Sequence, residues 1–484
     1  MSEPPAIPRV VVVGGGISGL STANHLLEES RRVNFPVELQ LLEASDRLGG
    51  VIHTSQRDGF TLEGGPDSFI SDKPWALRLC ERLGLQSQLI GTSEAQRRSF
   101  VVRKGHLEPV PDGFYLLAPT RMWPLITTPI FSWPGKLRMA ADLVLPAKSR
   151  DTWAEDESLA SFVRRRLGRE ALERIAQPMI GGIYTSDPEE LSLLATMPRL
   201  LEMEREHRSV ILALWKQRRS SQRSQAAGPR YGLFVSMKQG MQELIEHLGE
   251  RLPDQCIQLN SKVRSLEFEG RRWRLNLANG SSIVADAICL ALAAHQMVPL
   301  LKPLDCSLAD QLGEIHYAST ATINLAYRLD DVPQRLDGFG FVVPAAEKRE
   351  ILACTFSHVK FSGRAPQNGA LFRAFMGGAL QPQAFDHDDR EMVRIVRQNL
   401  AELLGLHTAP LFTQVERHPL AMAQYAVGHL KRVSSIDEAL SRWPSLHLAG
   451  NAFTGVGIPD CIRRGEACAA EMVRRLSVAH QATR

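Results

Sequence analysis

The sequence has few aromatic residues and no cysteine pattern of the kind that binds metals. Aromatic residues make up 6% of the 484 residues, and only 6 of them are tyrosines. The seven cysteines are scattered, with no CxxC pair and no metal-ligand spacing. This set is typical of reduced, buried thiols in a cytosolic protein, so we expect neither a disulfide scaffold nor a metal centre.

Long apolar runs and strong charge are also missing. No stretch of about 18 apolar residues occurs, so no transmembrane helix is predicted. The segment at residues 1–8 is short and polar and lacks the apolar core of a signal peptide. The formal net charge is +4, a mildly basic balance that suits an anionic substrate or an acidic membrane surface. We expect no nucleic-acid partner.

The amino-terminal segment carries a dinucleotide-binding pattern. A strand-like run at residues 9–13 leads into a glycine-rich turn and then an apolar helix. Gly14 permits the tight turn, Gly16 leaves room for a pyrophosphate, and Gly19 lets the helix lie close to the sheet. The helix N-terminus favours the phosphate charge. The turn reads Gly14, Gly15, Gly16, Ile17, Ser18 and Gly19.

The next strand supports the same interpretation. Residues 38–42 form a strand-like run that ends on Glu43, which can accept hydrogen bonds from ribose hydroxyls and disfavours a 2′-phosphate. The alternative is a glycine-rich turn without a ligand, but the strand, the helix and the acidic residue together favour a nucleotide site.

Further glycines favour FAD over NAD. Gly49-Gly50 and Gly64-Gly65 allow close approaches that an extended FAD needs and an NAD dehydrogenase does not. Near the end of the chain, a strand-like run enters Gly455-Val456-Gly457 just before a helix. Backbone N–H groups there suit the acceptors of an isoalloxazine ring, and the helix dipole would stabilise a reduced flavin.

The middle of the chain alternates between helical and strand patterns. Residues 119–200 are predicted to be mostly helical, and residues 318–376 and 411–417 carry strands of a second sheet. We predict further strands at 257–266, 272–278 and 282–291, helices at 386–404, 435–441 and 461–476, and a solvated basic loop at 216–231.

Several segments resemble the flavin amine-oxidase superfamily, namely Gly14 to Leu20, Glu43-Ala44 and Arg47-Leu48-Gly49-Gly50. Within it the chain is most similar to porphyrinogen oxidases, and especially to the Gram-positive-type bacterial coproporphyrinogen oxidases. The matching segments are Glu63-Gly64-Gly65-Pro66-Asp67-Ser68-Phe69, Gly181-Gly182-Ile183-Tyr184, Gln424-Tyr425-Ala426-Val427-Gly428-His429 and Gly455-Val456-Gly457-Ile458-Pro459-Asp460-Cys461-Ile462.

The resemblance implies an α/β fold of mixed α+β character. We expect a Rossmann-like FAD-binding domain of the amine-oxidase (GR2) type, an inserted substrate-binding sheet domain and a helical domain. The expected boundaries are 1–90, 232–300 and 440–484 for the discontinuous FAD-binding domain, 95–205 for the helical domain, and 301–439 for the substrate-binding domain, with strands near 96–111.

The implied reaction is the oxidation of a porphyrinogen to a porphyrin in haem biosynthesis. Six electrons leave in three two-electron rounds, each moving a hydride from a meso carbon to flavin N5, and O₂ is reduced to H₂O₂. Because the cofactor carries the chemistry, we expect no catalytic side chain and no metal. The implied partners are the porphyrinogen, O₂ and ferrochelatase or other haem-pathway enzymes.

Family contacts carry over to matching positions. They imply FAD contacts at Gly14, Gly15, Gly16, Ile17, Ser18, Gly19, Glu43, Ala44, Val51, Gly64, Gly65, Pro66, Asp67, Val263, Val456, Gly457 and Ile458. For Val263 the alternative is a core valine.

Two substrates remain open, coproporphyrinogen III and protoporphyrinogen IX. Protoporphyrinogen-type enzymes place an arginine just before an aromatic strand residue, but Ser99 precedes Phe100 here. Coproporphyrinogen has four propionates, which distributed cations would suit. Lys73, Arg98 and Lys360 are the candidates, with solvated surface charges as the alternative.

The helical region contains an apolar patch near basic residues. The patch suits either shallow membrane contact or a channel for the tetrapyrrole. We expect a cytoplasmic protein, with peripheral attachment to the inner membrane face as the alternative. The patch comprises Trp123, Leu125, Ile126, Ile130, Phe131 and Trp133, with Arg121, Lys136 and Arg138 nearby.

Other functions of the same fold stay open. An amine oxidase needs an aromatic cage, which the small number of tyrosines does not favour. A carotenoid desaturase and a non-catalytic FAD-binding protein are the remaining alternatives.

Overall fold

The computed structural model describes most of the chain. The described residues are 7–93, 98–111, 113–115, 118–119, 122–149, 155–221, 233–333 and 336–482. Within them, helices and several sheets alternate along the chain, so the predicted α/β class with mixed α+β character is confirmed.

The strands fall into two large sheets and several small ones. In chain order they are β1 (Arg9–Val13), β2 (Glu38–Leu42), β3 (Thr54–Arg57), β4 (Phe60–Glu63), β5 (Phe69–Ile70), β6 (Leu89–Gly91), β7 (Arg98–Arg103), β8 (His106–Pro109), β9 (Phe114–Tyr115), β10 (Ala118–Pro119), β11 (Phe234–Met237), β12 (Ile257–Gln258), β13 (Val263–Glu269), β14 (Arg272–Leu277), β15 (Ser282–Ala285), β16 (Ala287–Leu290), β17 (Tyr317–Arg328), β18 (Gly338–Val342), β19 (Ala353–Phe356), β20 (Gly369–Gly377), β21 (Phe412–Ala423) and β22 (Leu446–Leu448).

The helices are most frequent in the part of the chain between β10 and β11. They are α1 (Ile17–Arg32), α2 (Pro74–Arg82), α3 (Met122–Thr127), α4 (Trp133–Ala140), α5 (Leu159–Arg166), α6 (Arg169–Ala171), α7 (Gln177–Tyr184), α8 (Leu193–Thr196), α9 (Pro198–His207), α10 (Val210–Ser221), α11 (Gln242–Glu250), α12 (Ala294–Leu301), α13 (Cys306–Gly313), α14 (Ser357–Lys360), α15 (Asp389–Leu404), α16 (His429–Leu440) and α17 (Ile458–Ala482).

A five-stranded parallel sheet contains the strands on either side of the predicted dinucleotide-binding turn, in the order β12-β2-β1-β16-β22. Its central strand β1 pairs with β2 and β16, and residues 10–13 are buried because both faces of the sheet are covered. Helices α1 and α17 pack together, and a Cβ added at Gly465 would lie 2.6 Å from Ser18 O. The first and last helices of the chain therefore meet beside this sheet.

Two predicted strands are each divided between two sheets. The strand predicted at 257–266 is broken, because β12 joins the parallel sheet and β13 joins a three-stranded antiparallel sheet with β14 and β15. The strand predicted at 282–291 is likewise divided into β15 and β16. At the second break Asp286 accepts a hydrogen bond from the Arg9 N–H at 2.7 Å, which fixes the change of sheet.

The second large sheet has seven strands in the order β21-β17-β20-β19-β18-β7-β8. It includes the strands predicted near 96–111, since β7 pairs with β18. Helix α15 packs on it through apolar residues such as Met392 and Val396. Helix α16 begins at His429, earlier than the predicted start at 435.

The helical region keeps only part of the predicted apolar patch at the surface. Trp123, Ile126 and Trp133 are exposed. Leu125, Ile130 and Phe131 are buried, so the prediction is wrong for these three. The basic residues of the patch are also occupied: Lys136 Nζ donates to Ile126 O at 2.6 Å, and Arg138 donates to the carbonyls of residues 164–166. Arg121 lies outside the described residues.

Three other predictions can be compared with the structure. The loop predicted at 216–231 is wrong up to Ser221, which ends helix α10, and residues 222–231 lie outside the described part. Six of the seven cysteines are buried as expected, but Cys306 is exposed. Across the described residues, no helix is long and apolar enough to cross a membrane.

Candidate cofactor and substrate site

The glycine-rich turn after β1 has the geometry of a phosphate cradle. Gly14 has a φ of +107°, and a Cβ added at Gly19 would lie 1.8 Å from Gly14 O, so both positions require glycine. At Gly16, in contrast, an added Cβ would meet nothing within 4 Å. Gly16 is the N-cap of α1 and, as a glycine, offers no side-chain acceptor to the first N–H groups of the helix, an arrangement that suits a pyrophosphate.

Glu43 braces this turn. Its Oε2 accepts a hydrogen bond from the Gly15 N–H at 2.6 Å, and its Oε1 accepts one from the Ser45 N–H at 2.8 Å. Oε1 also accepts a hydrogen bond from Ser45 Oγ at 2.8 Å. Oε2 can accept a second hydrogen bond, so the predicted ribose contact of Glu43 stays compatible with this arrangement. Ala44, the other predicted contact here, is exposed.

Two further glycine turns pack against the first. The Gly49 N–H donates to Gly15 O at 2.9 Å, and Val51 is 48% exposed. A Cβ added at Gly65 would lie 1.7 Å from Val51 O, so the turn at residues 64–67 can pack this closely only with glycine. The segment at residues 49–51 therefore contacts both the first glycine turn and the turn at residues 64–67.

Asp67, a predicted FAD contact, has its side chain engaged in ion pairs. Lys360 Nζ lies 2.7 Å from Asp67 Oδ2, and Arg373 Nη1 lies 3.6 Å from the same oxygen. Burial opposes ionisation, but these two cations hold the pKa of Asp67 well below its usual range. The side chain of Asp67 is therefore occupied within the protein, and its carbonyl oxygen accepts a hydrogen bond from Ser236 Oγ at 2.6 Å. The FAD contacts of Pro66 and Asp67 stay predictions.

The carboxy-terminal glycine loop lies at the start of α17. Strand β22 leads into this loop, which includes the predicted contacts Val456, Gly457 and Ile458. The Gly455 N–H donates to Tyr425 Oη at 2.9 Å, and Tyr425 Oη donates to Asn451 O at 2.7 Å. Burial raises the pKa of Tyr425. Strands β1 and β22 are parallel and separated by β16 alone in the sheet order. Both glycine loops therefore follow the carboxyl ends of neighbouring parallel strands.

Each of the three predicted substrate cations has a carboxylate partner of its own. Lys73 pairs with Asp460 in the first turn of α17. Lys360 pairs with Asp67, as described above. Arg98 forms an exposed pair with Asp337 at 2.8 Å at the start of β7.

Val263 is buried in the core, with β13 paired to β14. Its side chain is thus a core valine, as in the alternative interpretation. An adenine contact through its backbone stays a prediction.

A cavity of about 410 Å³ lies between residues 186–191, 316–319, 378–386 and 420–426, and Tyr425, the hydrogen-bond partner of Gly455, is among its lining residues. Its lining includes the carboxylates Asp187, Glu190 and Asp386 and none of the three predicted substrate cations. A substrate with several propionates is disfavoured there, because like charges repel. Within the described residues, no cluster of three or more potential metal ligands occurs.

Two buried polar residues that donate hydrogen bonds to the carbonyls of Glu63 and Gly65 were not predicted from the sequence. Arg373 and Asn324 are almost fully buried, on β20 and β17. For Arg373 the available signal was a single charged residue within the otherwise apolar run of β20, which indicates a buried partner rather than a solvent-facing position. Asn324 lies among other polar residues of β17 and carried no such signal.

A parallel sheet with glycine loops at the carboxyl ends of its strands, joined to a large mixed sheet, defines the class of dinucleotide-binding α/β proteins. A family profile described as "Flavin containing amine oxidoreductase" matches residues 17–473. The chain therefore belongs to the flavin-containing amine oxidoreductase family, and its cofactor is FAD. The predicted superfamily and amine-oxidase fold type are confirmed.

The relatives are full-length matches. The chain is 35% identical to coproporphyrinogen III oxidase of Bacillus subtilis (strain 168), covering 97% of this chain and 98% of the relative. It is 36% identical to coproporphyrinogen III oxidase of Propionibacterium freudenreichii, covering 96% and 90%. It is 30% identical to the chloroplastic protoporphyrinogen oxidase of Nicotiana tabacum, covering 96% and 86%.

A solved structure agrees with this assignment. A crystal structure from Exiguobacterium sp. 255-15, of a protein provisionally described as a protoporphyrinogen oxidase, superposes with a TM-score of 0.85 at 30% identity. It covers 98% of this chain and 99% of that one. The predicted resemblance to the porphyrinogen oxidases is thus confirmed over nearly the whole chain.

Proposed function

We propose that this protein oxidises coproporphyrinogen III to coproporphyrin III in haem biosynthesis, with O₂ as electron acceptor and H₂O₂ as product. The observation that carries the proposal is the full-length similarity to two coproporphyrinogen III oxidases, at higher identity than to the plant protoporphyrinogen oxidase. The protoporphyrinogen reaction is the second candidate, since enzymes of both kinds are among the relatives.

The chain's own residues supply binding and orientation. When bound, FAD accepts the electrons that leave the substrate, and the protein needs no strong base because aromatisation drives the reaction. The open space at Gly16 and the N-terminus of α1 suit the pyrophosphate, and Glu43 suits the ribose. Val51 and the loop at residues 455–458 line the remainder of the proposed cofactor cleft.

The proposed propionate contacts are Lys73 and Lys360, with Arg98 at the exposed rim. Lys73 and Lys360 each contact a glycine segment of the cleft through Asp460 and Asp67, so they lie beside the proposed cofactor position. Arg98 is 58% exposed, and we assign it the first contact with an entering substrate.

A paired assay tests this function. The purified, FAD-loaded protein is supplied separately with each of the two porphyrinogens, and porphyrin fluorescence and H₂O₂ are measured. We expect oxidation of the copro form to be faster by about tenfold or more in kcat/KM, because four propionates offer more contacts than two. Equal rates would contradict the preference for the copro form. Oxidation of neither compound would contradict the whole assignment.

We also propose a cytoplasmic protein that makes peripheral contact with the inner membrane face. Trp133 and Leu137 lie one turn apart on α4 and are 64% and 70% exposed, and Trp123 is 73% exposed. Amphipathic aromatic residues of this kind suit the membrane interface. Ferrochelatase or another haem-pathway enzyme is the alternative occupant of this face.

Co-sedimentation with anionic vesicles separates these two occupants. We expect the wild type to bind the vesicles and the W123S/W133S variant to lose that binding with unchanged oxidase activity. Absence of wild-type binding would contradict membrane contact, and binding of purified ferrochelatase that the same variant abolishes would favour the alternative.

A further inference from the structure

Three neighbouring strands of the mixed sheet hold the backbone of the turn at residues 64–67. Asn324 Nδ2 of β17 donates to Glu63 O at 3.1 Å. His418 Nε2 of β21 lies 2.9 Å from Gly64 O. An Nη2 hydrogen of Arg373 on β20 is donated to Gly65 O. Strands β21, β17 and β20 are adjacent, and Asn324 lies directly opposite Arg373 in the register.

Arg373 is unusual among these partners because it is a buried charge. It is 4% exposed, and its guanidinium lies near Asp67 and stacks over the Phe375 ring at 4.7 Å. Burial lowers the pKa of Arg373, while the carboxylate of Asp67 opposes that shift. A buried arginine is expensive to desolvate, so its position between Gly65 O and Asp67 is a specific feature of this turn.

The turn at residues 64–67 connects Arg373 to the phosphate cradle through a series of direct contacts. Gly65, whose carbonyl Arg373 holds, also packs on Val51, since a Cβ at Gly65 would lie 1.7 Å from Val51 O. The residues just before Val51 in turn contact the cradle, because the Gly49 N–H donates to Gly15 O. A continuous chain of close contacts therefore links β20 of the mixed sheet to the turn that follows β1.

We propose that Arg373 is a positioning residue for FAD. It fixes the turn at residues 64–67 against Val51, so that the substrate-binding sheet sets the width of the cofactor cleft. Asn324 and His418 assist by fixing the two preceding carbonyls. This inference rests on the proposed assignment of the turn at residues 64–67 to the FAD site.

The test measures FAD binding by the folded apoprotein rather than turnover. The variants are Arg373→Met, which removes charge and donors, and Arg373→Lys, which keeps the charge but lacks the planar fork. Arg349→Met is the matched control: Arg349 is also largely shielded and paired, with Glu402 and Asn399, and its contacts do not include the turn. Thermal unfolding of each apoprotein is recorded in parallel.

We expect Arg373→Met to raise the Kd for FAD about tenfold or more, as loss of a charge-assisted hydrogen bond does, and to alter the visible flavin spectrum. Arg373→Lys should give an intermediate Kd. Arg349→Met should lower the unfolding temperature and leave the Kd for FAD unchanged.

The outcomes distinguish a failure of the positioning role of Arg373 from a failure of the proposed FAD site. If both Arg373 variants bind FAD as the wild type does, the positioning role is overturned. The same holds if Arg349→Met changes the Kd as much as Arg373→Met. If Arg373→Met fails to fold, the Kd of Arg373→Lys decides. Failure of the wild-type protein to bind FAD would instead overturn the proposed cofactor site.

Discussion

Lys73 Nζ lies 2.5 Å from Asp460 Oδ2, an ion pair between residues 387 positions apart in the chain. Lys73 directly precedes α2, and Asp460 lies in the first turn of α17. Asp460 is 4% exposed and packs beneath Gly455, whose added Cβ would lie 2.2 Å from Asp460 Cγ. The pair therefore ties an amino-terminal segment to the loop proposed to contact the flavin.

The first prediction concerns this pair. In Lys73→Met the nearly buried Asp460 keeps only Arg463, at 3.9 Å, as a cationic neighbour. We expect a loss of about 1 kcal/mol in the free energy of unfolding, reduced by the partial exposure of Lys73. Adding Asp460→Asn should recover most of it, which denaturant unfolding will show. If the double variant recovers nothing, the ion pair with Asp460 does not account for the lost stability. A raised KM for the porphyrinogen in Lys73→Met is a separate expectation, which follows from the proposed propionate contact.

The second prediction separates the cofactor cradle from the fold. Gly16→Ala places a methyl group where the structure has nothing within 4 Å, and the φ of −73° at Gly16 tolerates alanine. We expect the apoprotein to keep its unfolding temperature and to bind FAD more weakly, because the methyl group occupies the pyrophosphate position.

Gly19→Ala is the matched contrast. Its Cβ would lie 1.8 Å from Gly14 O, so this variant should lower the unfolding temperature of the apoprotein itself. FAD titration with apoprotein melting checks both variants. Wild-type FAD affinity in Gly16→Ala would contradict the cradle assignment.

The sequence predicted the parts of the site that local geometry determines. The turn at residues 14–19 was predictable because strand, turn and helix follow one another directly, and because Gly14 and Gly19 each have a local steric reason. The two divided strands were not predictable, because the choice of sheet depends on partners such as β2 and β14. Arg373 was missed for the same reason, since its partner Gly65 lies 308 positions away.

The third prediction concerns a buried ion pair in the helical region. Arg166 Nε donates to Asp142 Oδ1 at 2.7 Å, and the two side chains are 1% and 0% exposed. Arg166 also donates to Pro146 O and Arg208 O. Arg166→Met leaves the Asp142 charge buried without its counter-ion, so we expect a loss of about 3–5 kcal/mol in the free energy of unfolding.

The control is Arg164→Met, two residues away. Arg164 pairs with Glu189, and both side chains are about half exposed, so we expect a change below about 1 kcal/mol. Urea unfolding of both variants measures the difference. Similar losses in the two variants would show that burial does not govern the strength of the Arg166 pair.

The fourth prediction is a loss of stability in mild acid that His447 causes in part. His447 on β22 is 8% exposed, and its Nε2 has no partner among the described residues. Burial, assisted by Arg475 and Arg464, lowers the pKa of His447 to about 4. The unfolded chain, with a pKa near 6.5, therefore binds a proton first as the pH falls, so stability present above pH 6.5 is lost between about pH 6.5 and pH 4.

At about pH 5.5 this effect amounts to about 1 kcal/mol in the free energy of unfolding. We expect His447→Gln, which cannot titrate, to lose about 1 kcal/mol less than the wild type when the pH falls from about 7.5 to about 5.5. His106 is exposed on β8, so His106→Gln should follow the wild type. Urea unfolding at both pH values gives the measurement. An equal loss in all three proteins would mean that His447 accepts its proton in the folded state as readily as in the unfolded chain.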